Sequence, residues 1–374
     1  MLRRTKRSSK IKTIHIIGSA ELGGAESFFI RFVDALAQAG HETIAVSRKG
    51  GPIAKLLSPA VRQVHLPFAS KWDYWTRWQL GRLIKAEQPA VVQTYMSRAT
   101  RLTRMPAGST AVHVARLGGY YTIPGNYDHA EAWVGNTRDI CDYLIKQGLP
   151  AERIFHIGNF VPQPRNVSAD ELASLRAALQ LPDDAVVVFA LGRMIEKKGF
   201  QDLIEAFATL PPDHDGRPLR LLLVGDGTER ERYETLAKKL GVIDRVRFAG
   251  WQTDPVPYFR LANVFVCPSR HEPLGNILLE AWTHRLPVLT TRNEGAQELV
   301  GDDESALLVP VRDPAEMANG LRRMLALTDA ERTKMVAAGV ETVRVHSGDA
   351  VIRKYLELYE ELQRRKSSGW VKVA

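Results

Sequence analysis

A β-branched run, Ile11-Lys-Thr-Ile-His-Ile-Ile-Gly18, stops on a glycine. Gly23-Gly24 follows within a few residues, and then apolar side chains at helical spacing: Phe28, Phe29, Phe32, Val33 and Leu36. Gly40 ends that periodicity, and His41–Ser47 resumes a strand pattern. Strand, glycine turn, helix and strand in this order are the opening unit of a doubly wound parallel sheet. Further strands are predicted at Ala90–Thr94, Ala111–Leu117, Ala132–Val134 and Arg153–Ile157. The proline-rich stretch Asn159-Phe-Val-Pro-Gln-Pro-Arg-Asn166 then reads as a linker, and the pattern starts again. Strands are predicted at Val186–Leu191, Leu219–Val224, Arg245–Phe248, Val264–Cys267, Pro287–Thr291 and Ala306–Val309, with helices at Phe200–Leu210, Glu229–Leu240 and Asn276–Arg285.

The 374 residues exceed the roughly 250–300 at which a single core stops growing, so two domains are expected. The reading is α/β: a basic tail at 1–12, expected to be disordered, an N-terminal Rossmann-like domain at 13–165, and a C-terminal one at 166–349. A last helix carries Val351, Tyr355, Leu358, Tyr359 and Leu362 on one stripe. Over about 350–374 it is expected to pack back on the N-terminal domain. Two such domains facing across a cleft would put a ligand at the carboxyl ends of both sheets.

Composition removes several function classes. The longest apolar run, Ala185–Leu191, has seven residues, against the ~20 of a spanning helix. Of the net charge of +9, the cations of Met1–Lys12 (Arg3, Arg4, Lys6, Arg7, Lys10 and Lys12) account for all but +3. That excess is too small for a nucleic-acid-binding domain, and no recognition module accompanies it. Cys141 and Cys267 cannot build a disulfide framework, so a cytoplasmic home is expected.

The chemistry concentrates in Cys267-Pro-Ser-Arg-His-Glu-Pro-Leu-Gly-Asn-Ile-Leu-Leu-Glu-Ala-Trp282. Glu272 falls in the loop after a strand, and Glu280 lies about a turn and a half into the next helix. The amides of Leu274, Gly275 and Asn276 would be helix-start donors, suited to an anion. A carboxylate accepts two hydrogen bonds from a vicinal diol. The set therefore suits a ligand with hydroxyls at both ends and phosphate between, although a bare pair of glutamates at this spacing is ordinarily surface charge. Gly192-Arg-Met-Ile-Glu-Lys-Lys-Gly199 adds Arg193 and Lys198 at the carboxyl edge of the same sheet, where they can neutralise a diphosphate. Gly225-Asp-Gly227 is a tight turn beside them, and Gly23-Gly24 opens the first helix.

Together these segments resemble the retaining glycosyltransferases of family 4, which have the GT-B fold. The match runs over Gly23-Gly24-Ala25-Glu26, Gly192-Arg193 with Lys197-Lys198-Gly199, Val224-Gly-Asp-Gly227, Glu272 to Glu280, and Glu298-Leu299. The resemblance implies transfer of a sugar from a nucleoside diphosphate sugar, a UDP-sugar being favoured, to a glycan or lipid-linked saccharide. It also implies retained anomeric configuration, with no cofactor and no metal. Arg193, Lys198 and Glu272 would be catalytic. Arg193 and Lys198 would bind the diphosphate, Glu280 the ribose, and Glu272 with the amides of Leu274, Gly275 and Asn276 the donor sugar. Gly23, Gly24, Gly192 and Gly225 would line the donor.

Three departures stand out. Pro273-Leu274 occupies the place of a more usual Gly-Phe or Ser-Phe. Asn293-Glu-Gly-Ala296 replaces a glycine pair. Ala115-Arg-Leu-Gly-Gly-Tyr-Tyr121 lacks a histidine common in relatives, so Arg116 or Tyr120 would take that space on the acceptor side. Arg-His-Glu-Pro-Leu-Gly with Leu-Gly-Gly-Tyr-Tyr resembles bacterial lipopolysaccharide core enzymes. A nucleotide-sugar epimerase of the same fold and a non-catalytic basic binding protein are the rival readings.

Two further segments call for a reading. Asp213-His-Asp215 imitates a metal motif, but lies before a strand in a turn-rich loop and is read as a loop. Trp72, Trp75 and Trp78 recur within Arg62–Arg104, which carries eight Lys or Arg against Asp73 and Glu87. These indoles either bury in the N-terminal core or acceptor cleft, or lie on an anionic membrane surface as part of a peripheral, inner-face placement.

Overall fold

Both faces of each sheet are covered, so strand residues are buried whichever way they point. Every residue of the central strands Val91–Tyr95 and Val112–Leu117 is buried, as expected for parallel strands flanked by helices. The structure, a computed structural model, describes residues 10–300 and 304–369. The expectation of disorder for the basic tail falls, up to residue 9, outside the described residues. The chain divides into two units, one of residues up to Asn159 together with Gly348 onward, the other of Phe160–Ser347.

In the first unit the elements are β1 (Lys12–Ile17), α1 (Gly24–Gln38), β2 (Glu42–Arg48), β3 (Arg62–Leu66), α2 (Tyr74–Glu87) and β4 (Val91–Tyr95). They continue with α3 (Met96–Leu102), β5 (Val112–Leu117), β6 (Ala132–Gly135), α4 (Arg138–Lys146) and β7 (Ile154–His156). The sheet is parallel, in the order β3-β2-β1-β4-β5-β6-β7.

The second unit carries α5 (Ala169–Ala178), β8 (Val186–Leu191), α6 (Phe200–Ala208), β9 (Asp213–His214), β10 (Arg217–Val224), α7 (Arg230–Lys239) and β11 (Val246–Phe248). It goes on through α8 (Val256–Leu261), β12 (Val264–Cys267), α9 (Asn276–Thr283), β13 (Val288–Thr291), α10 (Glu294–Val300), β14 (Leu307–Val309), α11 (Pro314–Leu325) and α12 (Asp329–Val345). Its order, β11-β10-β8-β12-β13-β14, repeats the topology of the first sheet. The order reverses between β1 and β4 in one sheet and between β8 and β12 in the other. Ligands of open α/β sheets bind outside the carboxyl ends of such neighbours.

The last helix, α13 (Gly348–Ser367), belongs to the first unit. A buried polar chain fastens it there. Tyr359 donates to Gln93 Oε1 at 2.6 Å and Gln93 Nε2 to the Tyr95 hydroxyl at 2.6 Å. The His15 ring meets that hydroxyl at 3.1 Å and Thr13 Oγ1 at 3.0 Å. Burial holds His15 neutral, its pKa lowered to about 3. His113 on β5 is lowered to about 3 for the same reason, with His129 and nearby cations adding to it.

Several elements escape a reading of periodicity. β3, α2 to α5, α8 and α10 to α12 are not given bounds by the sequence reading. α5 buries no residue fully, and α12 fully buries only Met335 and Gly339, so neither shows a broad apolar stripe. Asp213-His-Asp215 is corrected from loop to hairpin: β9 pairs antiparallel with the start of β10 through Asp215-Gly216, both at positive φ. Helix α9 ends at Thr283 rather than Arg285, because Arg285 takes a left-handed turn (φ 59°) into β13.

Two outcomes test this packing. A Cβ at Gly339 would fall on the ring of Trp282, which is fully buried and whose indole N–H is held by the Ser305 carbonyl at 3.0 Å. Gly339→Ala is therefore expected to cost about 1–3 kcal/mol in urea unfolding; an unchanged midpoint would contradict the contact. The neutral histidines give the second. An unfolded histidine binds a proton below about 6.5, and His15 and His113 do not until about 3. Their contribution is thus complete above pH 6.5 and lost as pH falls through that window, by about 1.4 kcal/mol per pH unit for each. His113→Gln should make the acid slope of stability shallower by that amount, whatever it does to stability at neutral pH.

Candidate active site

Around the reversal point of the second sheet, three loops at the carboxyl ends of β8, β12 and β13 interlock. Gly199, at φ 67°, ends the β8 loop, and a Cβ there would overlap the carbonyl of Pro268 in the β12 loop. That loop returns two hydrogen bonds, from the Arg270 and His271 amides to the Lys197 carbonyl at 2.9 and 3.3 Å. Gly295 sits against the backbone of Glu272, Leu274 and Gly275 and donates to the Glu272 carbonyl at 2.7 Å.

This weave brings the charged side chains together. Lys198 Nζ donates to Glu272 Oε2, both groups largely buried. An ammonium has three donors, so the pair leaves Lys198 able to reach further acceptors. Arg193, exposed at the end of β8, has no ion pair among the described residues. Gly275 (φ 60°) stands at the N-cap of α9, and a glycine has no side chain of its own to cap that helix start. Glu280 is half-buried one and a half turns on. Gly225 lies close under the Gly192 carbonyl, so the β8 and β10 loops also touch. Arg193, Lys198, Glu272, Leu274, Gly275, Asn276 and Glu280 thus occur on two adjacent loops and one helix start.

Supporting residues went unrecognised in the sequence. Arg270 forks onto Asp202 of α6, Nε to Oδ2 at 2.9 Å and Nη2 to Oδ1 at 2.7 Å. Glu294 accepts from the Glu272 amide at 3.2 Å and meets His271 Nδ1 at 2.8 Å. Burial alone would raise its pKa, but these hydrogen bonds and that of its own amide leave it lowered. Asn293 Oδ1 caps α10 through the Ala296 amide at 2.9 Å. The glycine missing from the expected pair is thus replaced by a capping residue, and the one retained, Gly295, is where backbone meets backbone. Asp202 gave no sequence signal: one acid on a helix reads as solvated surface.

In the first unit, Gly18 after β1 and Met96 after β4 line a groove of about 320 Å³ that also holds Glu21, Ser97, Arg98 and Tyr121. Gly23 is the N-cap of α1, and a Cβ at Gly24 would meet nothing within 4 Å. No internal packing therefore calls for that glycine. Arg116 is only 2 % exposed. Its guanidinium lies 3.7 Å over Phe28 and donates to the Tyr355 hydroxyl at 3.1 Å and to Asn159 Oδ1. It is built into the core under α13, while Tyr120 is exposed beside Tyr143.

The remaining segments separate clearly. A cavity of about 410 Å³ at the amino ends of β8 and β12 takes in His214 and Asp215, the edge opposite the charged loops. Among the described residues no group of three or more His, Cys, Asp or Glu could hold a metal ion, and no helix is long and apolar enough to cross a membrane. Burial of the indoles in the core is corrected. Trp72, Trp75 and Trp78 are 58, 56 and 50 % exposed, because α2 seats on the sheet through Thr76, Leu80 and Ile84 instead.

Comparison with known proteins agrees with this fold. The profile described as "Glycosyltransferase Family 4" matches residues 22–163, and "Glycosyl transferases group 1" matches 173–341. Two curated proteins of Rhizobium meliloti (strain 1021) align over nearly their whole length. The lipopolysaccharide core biosynthesis glycosyltransferase LpsE is 38 % identical, over 90 % of this chain and 95 % of its own. LpsD, of the same description, is 35 % identical over 94 % and 98 %. Among solved structures, Anabaena HepE in complex with UDP and glucose superposes with a TM-score of 0.77 at 19 % identity, over 94 % of this chain and all of that one. With both halves of the chain matched and both sheets in the same doubly wound order, the chain belongs to the glycosyltransferases of family 4 and has their GT-B fold of two Rossmann-like domains.

Proposed function

We propose that this protein is a retaining, metal-independent glycosyltransferase that moves a sugar from a nucleoside diphosphate sugar, a UDP-sugar in first place, to a lipid-linked saccharide of surface-glycan assembly. The observation that carries the reading is the Lys198–Glu272 pair beside Arg193 and the glycine N-cap of α9, at the reversal point of the second sheet. The descriptions of LpsE and LpsD support the lipopolysaccharide core as the acceptor class, and UDP with glucose in HepE supports the donor class. The second unit is the donor domain in this reading, and the first unit, with its 320 Å³ groove and exposed Tyr120, receives the acceptor. The protein then works in the cytoplasm at the inner face of the membrane, a placement supported by the exposed indoles of α2 and the cations around them.

Departure of the leaving group builds negative charge on the diphosphate and oxocarbenium character on the sugar. Arg193 and Lys198 answer the first more strongly in the transition state than in the bound donor, which is what lowers the barrier. They also supply the positive charge for which other transferases use a metal. Glu272, sharing Lys198, accepts from donor-sugar hydroxyls, with the amides of Leu274, Gly275 and Asn276 beside it. Glu280 accepts from the ribose diol. For retention, the acceptor attacks the face from which the diphosphate leaves, and a phosphate oxygen takes the acceptor's proton.

Calorimetric titration with UDP, GDP, ADP and CMP tests the donor site. One nucleotide is expected to bind clearly, and Glu280→Gln to weaken it roughly 10- to 100-fold, the loss of hydrogen bonds to a charged group. Binding of none of the four would remove the reading. Lys198→Gln is expected to lower kcat by on the order of 10²- to 10³-fold, the scale of removing one preorganised donor, with a smaller change in donor affinity. Equal effects on kcat and on nucleotide affinity would instead make Lys198 a ground-state binding group.

A further inference from the structure

Helix α2 is amphipathic in an unusual sense. It faces the sheet through Thr76, Leu80 and Ile84 and turns aromatic and cationic side chains outward. Trp75 and Trp78 lie with ring centroids 5.2 Å apart, and the Arg82 guanidinium sits 4.8 Å over Trp78. Trp72, just before the helix, is covered by Arg101 at 4.1 Å and approached by Lys71 at 5.9 Å. Among the described residues none of these three indoles donates its N–H to a protein acceptor.

Beside them runs a groove of about 490 Å³, with Tyr74 and Trp78 as apolar surface and Arg77, Arg82, Lys85 and Arg104 around it. None of the four cations has a carboxylate within ion-pair distance among the described residues. The acids of this stretch are engaged elsewhere. Glu87 is paired with Lys12 at 2.7 Å and Arg62 at 2.8 Å, and Asp73 caps α2 through the Thr76 amide at 2.9 Å. Asp128, the acid that faces Arg104, is held by the Gly125 amide at 3.0 Å and lies 3.5 Å from His129. Arg104 is fixed by hydrogen bonds to the Thr103 carbonyl at 3.0 Å and to the His129 ring. Burial first, and then the neighbouring Arg77 charge, lowers its pKa from the ordinary value, a sign that positive charge is crowded there.

Uncompensated cations gathered on one face ask for anions, and three exposed indoles among them ask for an apolar boundary. A protein or nucleic-acid partner would satisfy one demand at the expense of the other. A bilayer interface satisfies both, because indoles favour the headgroup level and Lys or Arg near an anionic surface each gain about 1 kcal/mol. We propose that the outer face of α2 docks on an anionic phospholipid bilayer, with Arg77, Arg82, Lys85 and Arg104 meeting headgroup phosphates and Trp72, Trp75 and Trp78 entering the interface. This deepens the inner-face placement given above and names the residues and the lipid class.

The test is co-sedimentation of the full chain with vesicles of phosphatidylcholine alone and of phosphatidylcholine with phosphatidylglycerol, at low and high salt. Binding is expected on the anionic vesicles only and to weaken with salt. Arg77→Gln with Arg82→Gln and Lys85→Gln should reduce it roughly 100-fold. Trp75→Ala with Trp78→Ala should also release the protein, with less effect on the salt dependence. Nucleotide titration of the same samples separates this result from the donor site, since none of these residues is in the second unit. Equal pelleting on both vesicle types, no pelleting on either, or anionic binding unchanged by the triple substitution would overturn the proposal. A concentration-dependent dimer abolished by the tryptophan substitutions would overturn it in favour of a second copy of the chain.

Discussion

Backbone lying on backbone at the carboxyl edge of the second sheet is the constraint from which the candidate site follows. Gly199 against Pro268, and Gly295 against Glu272, Leu274 and Gly275, let three loops approach closer than any side chain would permit. Those contacts set Lys198 beside Glu272 and leave both largely out of water. A half-buried ion pair is a poor source of stability, since desolvation consumes most of its attraction. What the pair fixes is position: cation and carboxylate are held together at one spot on the sheet edge. The Arg270–Asp202 fork and the Glu294 carboxylate do the same for the loop backbone, from outside the charged pair.

The two units reach the same topology with different interiors. The second is held by apolar side chains on both faces of its sheet. The first places polar groups at its centre, on register-paired positions of β1 and β4 such as His15 and Gln93, and completes their hydrogen bonds with α13. Buried polar networks carry a cost unless every member finds a partner. α13 thus completes the polar interior of a sheet that begins more than 300 residues earlier in sequence.

Much of this was legible in the residues. The strand–glycine–helix rhythm announced two parallel sheets, and Val186–Leu191 and Val264–Cys267 are strands at their predicted limits. The placement of Arg193, Lys198 and Glu272 on loops after strands was legible too, because those loops follow directly from the strand pattern. Elements with thin apolar faces, α5 and α12, left no periodic trace. Arg116 was misleading for a related reason. An arginine in an otherwise apolar strand resembles a ligand-binding residue until its partners, Tyr355 and Asn159, arrive from far along the chain. The same holds for Asp202, whose partner Arg270 is 68 residues away.

By itself the sequence determined what local pattern can encode: strand and helix periodicity, the glycines at turns, and the order of charged residues after particular strands. Tertiary structure alone decided which of those charges are shared and which stand unpaired. It joined Lys198 to Glu272 and Arg116 to the core, and it left the indoles of α2 facing outward with Arg77, Arg82, Lys85 and Arg104 around them. The division has a physical reason. Backbone preference depends on neighbours a few residues apart, whereas burial and pairing depend on groups that only the folded chain brings within hydrogen-bonding reach.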